Sequence, residues 1–440
     1  MNLALAKTDT RSNGDVFAAV RNRLPGTAQV AEKRRQAYEA FERTGLPHRR
    51  IEDWKYTDLR ALMREVLPPA AAPDASALAR AEDALKLQTI EGARKLVLVD
   101  GVFAPKLSDL ADPEQGLRIR TLREVLEAGE AELQSQVFAA RNADPMLALN
   151  SAMMTDGVVV EVAEGIVLAR PLHIVHVATA AKPAAMFTRS LLRLDRAAGA
   201  TLVESYIAGN GAKLYQAHDS LLVSIGDDAR LDHVRLIEDS RDAFNICSSM
   251  VTLGAHARFN TFGMTSGAAV SRYQATIAFA GEASEVTTNG VNLLNGRQHA
   301  DTTLFMDHAV PNCVSREIFR SVVDDRGHSV FQGRIIVQPH AQKTDAKMMT
   351  RALLLSDEAE ADNKPELEIF ADDVTCGHGA TTGALDESLL FYLRARGLPE
   401  KEAEALLIQA FVGEAIESIV NDDLRELAIS AAQRWLAARG

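Results

Sequence analysis

A near-constant spacing runs through the middle of the chain. From about residue 156 to residue 383, short runs of Val, Ile, Leu and Phe alternate with turns of Gly, Asp or Asn, and helical periodicity is weak. The repeated unit is a strand, a turn of small or acidic residues, an alanine and a second strand. Its alanines, about 26 to 29 residues apart, are Ala200, Ala229, Ala257 and Ala283. The period predicts a solenoid, in which each turn buries its apolar face against the next.

The period favours a parallel β-helix over other strand-rich folds. In a β-sandwich, turn signals recur every ~8 to 12 residues without a longer period. A small residue in each unit fits a tight corner, where the backbones of successive turns stack closely. The alternative is a chance recurrence of alanine after turns, which the spacing alone leaves open. We therefore predict a mainly β fold built around a parallel β-helix.

The regions on either side of the repeat have a different pattern. The first 150 residues combine helical spacing with a strand-like run at 95–101 and a Pro/Ala-rich stretch at 68–77. Because 440 residues exceed what one compact core accommodates, we predict three domains. They are an N-terminal helical or mixed domain (1–150), a parallel β-helix core (151–383) and a C-terminal helical domain (384–440).

Helical signals return after Gly383. Asp386 is a suitable N-cap for a helix over 387–396, which Gly397 would end. Pro399 would open a second helix as its first residue, and a third is predicted over about 422–438. Such a tail either caps the open end of a solenoid or offers a docking face to a partner. The pattern alone favours capping.

Composition excludes several classes of function. The net charge of −12 disfavours a surface for nucleic-acid phosphates, and no apolar run is long enough to span a membrane. The three cysteines, Cys247, Cys313 and Cys376, are too sparse for a disulfide framework. Met1–Gly14 lacks the apolar segment of a signal peptide. We therefore expect a cytoplasmic protein with no nucleic-acid or membrane partner.

The chain lacks the common catalytic and nucleotide-binding motifs. It contains no GxxxxGK[ST], no GxGxxG after a strand, no HExxH and no GxSxG. We therefore expect no catalytic residues, and any ATP hydrolysis would belong to a partner. The enzyme alternative is a β-helix that acts on polysaccharides through carboxylates. The missing signal peptide and the 5% aromatic content disfavour it.

Residues 371–381 are the best local candidate for chemistry. If this segment is one strand, Cys376 and His378 point to the same face, because side chains alternate along a strand. A thiolate and an imidazole on one face either bind iron or zinc or form a nucleophilic pair. The simpler interpretation is that Cys376 packs as a small apolar residue and His378 makes a structural hydrogen bond.

Other residues have interpretations that the sequence leaves open. We predict Cys247 and Cys313 to be buried thiols. Trp54 and Tyr56 are predicted to clamp the N-terminal unit to the solenoid, with ligand stacking as the alternative. Four histidines would meet only if the turns bring them together, which the sequence does not show: His299, His308, His328 and His340.

Four segments carry a resemblance to a known family. They are PHRRIEDWKYTDL (47–59), ALNSAMMTDG (148–157), NKPELEIFADDVTCGHGATTG (363–383) and LFYLRARG (390–397). From about residue 45 to the C-terminus, the chain resembles the SufB/SufD family of the Suf iron–sulfur cluster assembly machinery. The resemblance is closer to the SufD type. SufB-type chains carry a glutamate where this sequence has Gly379, and a cysteine upstream that residues 343–355 lack.

The resemblance implies a fold and a set of partners. The family fold is a right-handed parallel β-helix flanked by helical domains. SufD pairs with its homologue SufB, and each binds a copy of the ATPase SufC through its C-terminal helices, so the docking interpretation of the tail replaces capping. The docking residues implied for this chain are Leu390, Phe391, Tyr392, Arg396 and Phe411.

The resemblance also implies a role for the cysteine and histidine. Cys376 and His378 match the pair that SufD offers near the SufB interface, where a nascent cluster is thought to form. Two ligands do not hold a cluster, so we expect no tightly bound cofactor on this chain alone and a transient iron–sulfur cluster at the interface. The predicted function is that of a non-catalytic SufD-like scaffold subunit. The alternatives are a SufB-like scaffold and, remotely, the polysaccharide enzyme.

Overall fold

Two long β-sheets run through most of the chain. The computed structural model describes residues 14–86, 88–138 and 144–439. In chain order the strands are β1 (Arg94–Val99), β2 (Val102–Phe103), β3 (Leu117–Thr121), β4 (Val158–Val162), β5 (Leu172–Ala178), β6 (Ala184–Leu194), β7 (Gly199–Ala208), β8 (Tyr215–Ile225), β9 (Arg230–Glu238), β10 (Phe244–Leu253), β11 (Arg258–Thr265), β12 (Val270–Phe279), β13 (Glu285–Leu294), β14 (His299–His308), β15 (Val314–Val323), β16 (His328–Val337), β17 (Asp345–Leu354), β18 (Glu360–Ile369) and β19 (Thr375–Gly383). The signal-peptide expectation for Met1–Gly14 concerns residues 1–13, which lie outside the described residues.

From β4 onward the strands alternate between the two sheets. A ten-stranded sheet holds β1, β2 and the odd-numbered strands from β5 to β19. A nine-stranded sheet holds β3 and the even-numbered strands from β4 to β18. Strands one turn apart pair in parallel, so that β10, for example, lies between β8 and β12. The chain winds as a parallel β-solenoid of about eight turns, which confirms the predicted mainly β, parallel β-helix fold.

Each turn passes a corner just before a strand of the ten-stranded sheet. Because the strands pair in register, residues of successive turns stack above one another at this corner. They form one buried column: Ala198, Ala229, Ala257, Ser284, Cys313 and Thr344. The predicted repeat is therefore correct at Ala229 and Ala257, but wrong at Ala200 and Ala283. The corner itself is made by the residue before the column, whose backbone is left-handed. For the first four members of the column, the preceding residues are Ala197, Asp228, His256 and Ala283, with φ of 54–60°.

Both sheets contribute to one apolar core inside the solenoid. Every second side chain of a strand points inward, as Leu221 and Val223 do in β8 and Ile277 does in β12. Burial of such side chains from successive turns stabilises the stack at about 25 cal/mol per Å² of apolar surface. Buried acidic side chains interrupt this interior, among them Glu204 and Glu317.

Most helices of the N-terminal region cover the outer face of the nine-stranded sheet, whereas the helix at Ala75–Leu85 packs on the outer face of the ten-stranded sheet, against β1, β5 and β7. They are α1 (Gly14–Ala18), α2 (Ala28–Thr44), α3 (Leu59–Leu62), α4 (Ala75–Leu85), α5 (Leu122–Ala128), α6 (Ala131–Val137) and α7 (Pro145–Met153). α2 begins after the N-cap Thr27 and packs along α7. Their shared core includes Phe41 of α2 and Phe187 of β6. β1 and β3 extend the two sheets of the solenoid, so the N-terminal region is joined to it by strand pairing as well as by packing.

Trp54 fixes this layer to the solenoid, as the sequence predicts. Its ring lies 3.8 Å from the guanidinium carbon of Arg272 in β12, and its Nε1 donates to Asp144 Oδ2 at 3.0 Å. Trp54 is 2% exposed. Tyr56 is only half-buried, with the Lys55 ammonium 5.3 Å from its ring centre. The predicted clamp therefore depends mainly on Trp54.

Three helices follow the last strand. They are α8 (Glu387–Ala395), α9 (Glu400–Ile416) and α10 (Asp422–Arg439). The Asp386 side chain accepts hydrogen bonds from the amides of Ser388 and Leu389, which confirms it as the N-cap of α8. Pro399 is the N-cap residue of α9 rather than its first residue. No described helix has the length and apolar character that a membrane span requires.

The C-terminal helices lie against the side of the solenoid and not across its open end. Apolar residues of α9 and α10, such as Val412 and Trp435, pack on the outer face of the ten-stranded sheet, where they share a core with Val234 and Phe262. The preference for end-capping drawn from the helical pattern is therefore wrong. An amphipathic pattern reports that one face of a helix is buried, but it does not report which surface buries it.

Candidate functional site

The last turn of the solenoid consists of two strands that are paired on one side only. β18 pairs with β16 and β19 pairs with β17, and among the described residues no strand pairs with their other edges. Every residue of β18 and β19 is half-buried or exposed. Edge strands with free N–H and C=O groups are templates for pairing with another chain. We call residues 360–383 the terminal turn.

Cys376 and His378 lie on the same face of β19, because residues 375–383 form one strand. Cys376 is opposite Ala346 of β17 and packs at the edge of the interior core, while His378 is opposite Met348 and exposed. Partial burial raises the pKa of the Cys376 thiol, so a nearby cation or metal ion would be needed to favour the thiolate. The pair supplies one sulfur and one nitrogen ligand on the last strand of the solenoid.

A buried carboxyl group lies behind this pair. Glu317 of β15 is opposite Met348, which is opposite His378, so Glu317 is two strands inward from the histidine. Both carboxyl oxygens of Glu317 lack a hydrogen-bond partner, and the residue is 1% exposed. Burial raises the pKa of Glu317 to about 8. The sequence analysis did not identify Glu317. The available signal was its position in β15, where it alternates with Ser315 and Phe319 on the face that points into the solenoid.

Two segments far apart in sequence meet at the terminal turn. The ammonium of Lys364 in β18 is 2.5 Å from Oε1 of Glu52, which lies two residues before Trp54. Arg334 of β16 is 3.3 Å from Oε2 of Glu366. The first ion pair connects β18 to the N-terminal layer, and the second connects β18 to β16. Partial exposure keeps the contribution of each pair to stability near about 0–1 kcal/mol.

The structure brings together two of the four histidines in question. His299 and His328 are opposite each other in β14 and β16, with their Nδ1 atoms 3.2 Å apart. His328 Nε2 also lies 2.8 Å from Asp362 Oδ2 in the terminal turn. His308 is buried against Phe279, and His340 is exposed in a turn. The four histidines therefore do not form one site.

Cys247 and Cys313 are buried thiols, as predicted. Cys247 lies in the interior between Tyr206 and Tyr273, and burial raises the pKa of its thiol well above the usual value. Cys313 belongs to the corner column, and burial likewise raises the pKa of its thiol. Neither thiol is accessible to a ligand from solvent.

α8 presents an apolar surface to solvent. None of its residues is buried, and Leu389, Phe391 and Tyr392 are respectively 51%, 74% and 54% exposed. Leu390 is half-buried, while Arg396 is exposed with its guanidinium carbon 5.1 Å from the Tyr392 ring centre. Contiguous exposed apolar side chains of this kind are typical of interaction sites.

Phe411, the fifth implied docking residue, has a different environment. It is half-buried on α9 and packs against the core between the helices and the ten-stranded sheet. Arg320 of β15 lies 5.7 Å from its ring centre and forms an ion pair with Glu414 of α9. The Arg320 guanidinium holds the pKa of the Glu414 carboxyl below its usual value. α9 is therefore anchored to the solenoid by both charge and packing.

Comparison with known proteins covers nearly the whole chain. Residues 176–411 match the model of the SUF system FeS cluster assembly SufBD core domain, and residues 15–174 match that of the SufBD protein N-terminal region. The chain is 31% identical over 394 residues to the iron–sulfur cluster assembly protein SufD of Escherichia coli, covering 89% of each chain. It is 31% identical over 401 residues to a SufBD family protein of Synechocystis, covering 89% of this chain and 87% of the relative. Identity to SufD of Bacillus subtilis is 26% over 300 residues, or 66% of each chain.

Proposed function

Because the chain belongs to the SufBD family of iron–sulfur cluster assembly proteins and is close to SufD, we propose that it acts there as a non-catalytic scaffold subunit. Its terminal turn pairs with a SufB-type solenoid, and its C-terminal helices dock a SufC-type ATPase. Iron and sulfide are the cargo, and a cluster forms transiently between the two solenoids. ATP hydrolysis takes place on the partner, in keeping with the missing nucleotide-binding motif.

The unpaired edges of the terminal turn carry this proposal. A homologous solenoid would present strands of similar length and twist, so the two chains could continue each other's sheets through main-chain hydrogen bonds. The facing strand β19 is rich in small residues, with Gly377 and Gly383 free of neighbours that a side chain would meet. A small-residue strand allows a partner's backbone and side chains to approach closely.

Cys376 and His378 would then lie at the junction between the two chains. A thiolate and an imidazole suit iron and zinc, but a four-coordinate ion needs further ligands. On this proposal the partner supplies them, because among the described residues neither Cys376 nor His378 belongs to a group of three His, Cys, Asp or Glu side chains with metal-binding spacing. The bound cluster is therefore shared between subunits and transient.

The apolar surface of α8 supports docking of the ATPase. Phe391 and Tyr392 are large aromatic side chains held in solvent, and aromatic residues dominate the binding energy of protein interfaces. α8 contacts α9, and α9 contacts β13 and β15 of the ten-stranded sheet. A force applied to α8 would therefore be transmitted to the sheet that ends in β19. We propose that closure of the ATPase pair opens the junction to iron and sulfide by this route.

Replacing His378 with alanine should reduce the iron and sulfide content of the co-purified complex about tenfold or more. Loss of even an outer group around a metal costs about 10- to 100-fold in affinity, and His378 is proposed as a direct ligand. The measurement is an iron and sulfide assay after anaerobic co-expression with the SufB-type and SufC-type partners. His256→Ala removes an exposed histidine from the corner before β11, four turns of the solenoid from β19, and is the matched control. Unchanged cluster content in His378→Ala would remove His378 from the proposed site.

Replacing Phe391 with aspartate should abolish retention of the ATPase in a pull-down, with affinity lowered at least tenfold. A buried interface aromatic contributes about 2 kcal/mol or more, and a carboxylate in its place must also be desolvated. Leu110→Asp is the control, because Leu110 is an exposed apolar residue (42%) in the N-terminal region. Truncation after Gly383 is a poorer test, since it would uncover the sheet face that α9 and α10 bury. Full retention of the ATPase by Phe391→Asp would refute docking through α8.

A further inference from the structure

Among the described residues, one group of His, Asp and Glu side chains has the spacing that a metal ion requires. It consists of His176 of β5, Glu204 of β7 and Asp219 of β8, and one ligand atom of each lies within 4.8 Å of the others. The His176 Nε2 atom is 4.0 Å from Asp219 Oδ2. The group lies inside the first turns of the solenoid, whereas Cys376 and His378 lie on its last strand.

The imidazole ring of His176 is held in one orientation, but one of its nitrogens has no hydrogen-bond partner. Its ring stacks on Tyr206 with centres 4.5 Å apart and planes 9° from parallel, which fixes the ring orientation. Its Nε2 atom is buried and has no hydrogen-bond partner. A cavity of about 20 Å³ adjoins His176, Tyr206 and Asp219, and this volume accommodates one atom of water size. A buried nitrogen without a hydrogen-bond partner, beside a cavity of this size, offers an ion both a ligand atom and room.

The two carboxylates are held by the kind of groups that orient metal ligands. Asp219 accepts hydrogen bonds from the hydroxyls of Thr188 and Tyr206, the latter at 2.7 Å. Glu204 Oε2 is 2.9 Å from His233 Nε2. Ligating carboxylates in metal sites are fixed by outer hydrogen bonds in this way. Both acids are at most 4% exposed. His233 pairs with Glu204, whereas Asp219 lies 4.0 Å from His176 Nε2, and a buried negative charge is costly unless positive charge accompanies it.

We propose that His176, Glu204 and Asp219 bind one divalent transition-metal ion inside the solenoid. One imidazole nitrogen and two carboxylate oxygens suit zinc, cobalt(II), iron(II) and manganese(II). Metal–ligand bonds of about 2.0–2.2 Å place ligand atoms up to about 4.4 Å apart, so small side-chain adjustments close the site. β5 and β7 belong to one sheet and β8 to the other, so the ion ties the two sheets together at the first turns.

Charge balance is consistent with this assignment. A divalent ion would offset the negative charge of the two buried carboxylates, Glu204 and Asp219. The His176 side chain is 12% exposed, whereas its Nε2 atom is buried. The role is independent of cluster assembly and concerns the stability of the solenoid itself.

The test uses the full-length chain in a Cys376→Ser/His378→Ala background, so that any ion bound at the terminal turn is removed from the count. After chelation and dialysis, the protein is titrated with Zn²⁺ and with Co²⁺ alone. We expect one equivalent by elemental analysis, cobalt absorption bands typical of nitrogen and oxygen ligation, and a melting temperature raised by about 3 °C at a hundredfold excess over Kd. Adding His176→Ala should weaken binding at least tenfold, while adding His340→Ala should leave it unchanged.

Absence of stoichiometric binding by the folded background protein would overturn the proposal, as would equal binding after His176→Ala. Circular dichroism shows whether His176→Ala folds. Should it fail to fold, anomalous scattering from crystals of the wild-type chain soaked in Zn²⁺ decides the matter. A peak between His176 Nε2 and Asp219 Oδ2 supports the site, and zinc found only elsewhere refutes it. Neither result bears on the scaffold function, whose tests use cluster content and ATPase retention.

Discussion

Replacing Arg272 with alanine should lower the free energy of unfolding by about 3–5 kcal/mol. Arg272 is 1% exposed and forms an ion pair with Asp301, whose side chain is fully buried. Its guanidinium also donates to the Asp53 carbonyl at 2.6 Å and stacks against Trp54. The substitution would leave the Asp301 carboxylate buried with only hydroxyl partners such as Thr57. It would also remove the stacking contact between Trp54 of the N-terminal layer and β12 of the nine-stranded sheet.

Denaturant unfolding followed by circular dichroism measures this effect. The matched control is Arg196→Ala, which removes an ion pair with Glu164 in which both side chains are more than half exposed. That change should cost at most about 1 kcal/mol. The double variant Arg272→Ala/Asp301→Ala should be less destabilised than the two single changes sum to, because the unpaired charge is gone. A cost for Arg272→Ala no larger than that of the control would show that the buried pair does not hold the layers together.

The main features of the fold could be predicted because the solenoid repeats. Strand patterning and turn residues recur each time the chain completes a turn, so the sequence contains several copies of the same signal. The exact corner was harder to place, because the buried column accepts alanine, serine, cysteine and threonine. Ala229 and Ala257 belong to that column, whereas Ala283 is the left-handed residue before it. The buried column requires a small residue in each turn, but it does not require any one residue type.

The features of the candidate site also differ in whether the local sequence could predict them. The shared face of Cys376 and His378 depends only on alternation within one strand, so the local sequence predicted it. Glu317 and the group around His176 depend on which strands are neighbours and in which register. Contacts between β5, β7 and β8 join His176, Glu204 and Asp219, which are 15 to 43 positions apart in the chain, and nothing in the local pattern identifies them. The position of α9 on the side of the solenoid is likewise a property of the whole fold.

The buried carboxyl of Glu317 makes a prediction about pH. Its pKa rises from 4.5 to about 8 on folding because burial disfavours the charged form. Below about pH 4.5 the acid is protonated in both states and has no effect. As the pH rises from there to about 8, the unfolded chain ionises while the folded chain keeps the proton. Stability therefore falls over this range by roughly 1.4 kcal/mol per pH unit, up to about 5 kcal/mol in all.

Replacing Glu317 with glutamine should remove this dependence. The amide has nearly the same shape and does not titrate, so the stability of Glu317→Gln relative to wild type should grow by about 4 kcal/mol between pH 5 and pH 8. Denaturant unfolding at pH 5, 6, 7 and 8 measures the difference, and its slope is unaffected by any constant cost of burying the amide. Glu282→Gln, at an exposed glutamate, is the control. Parallel pH profiles for Glu317→Gln and wild type would show that Glu317 is ionised inside the solenoid and that its negative charge is balanced there by a positive charge.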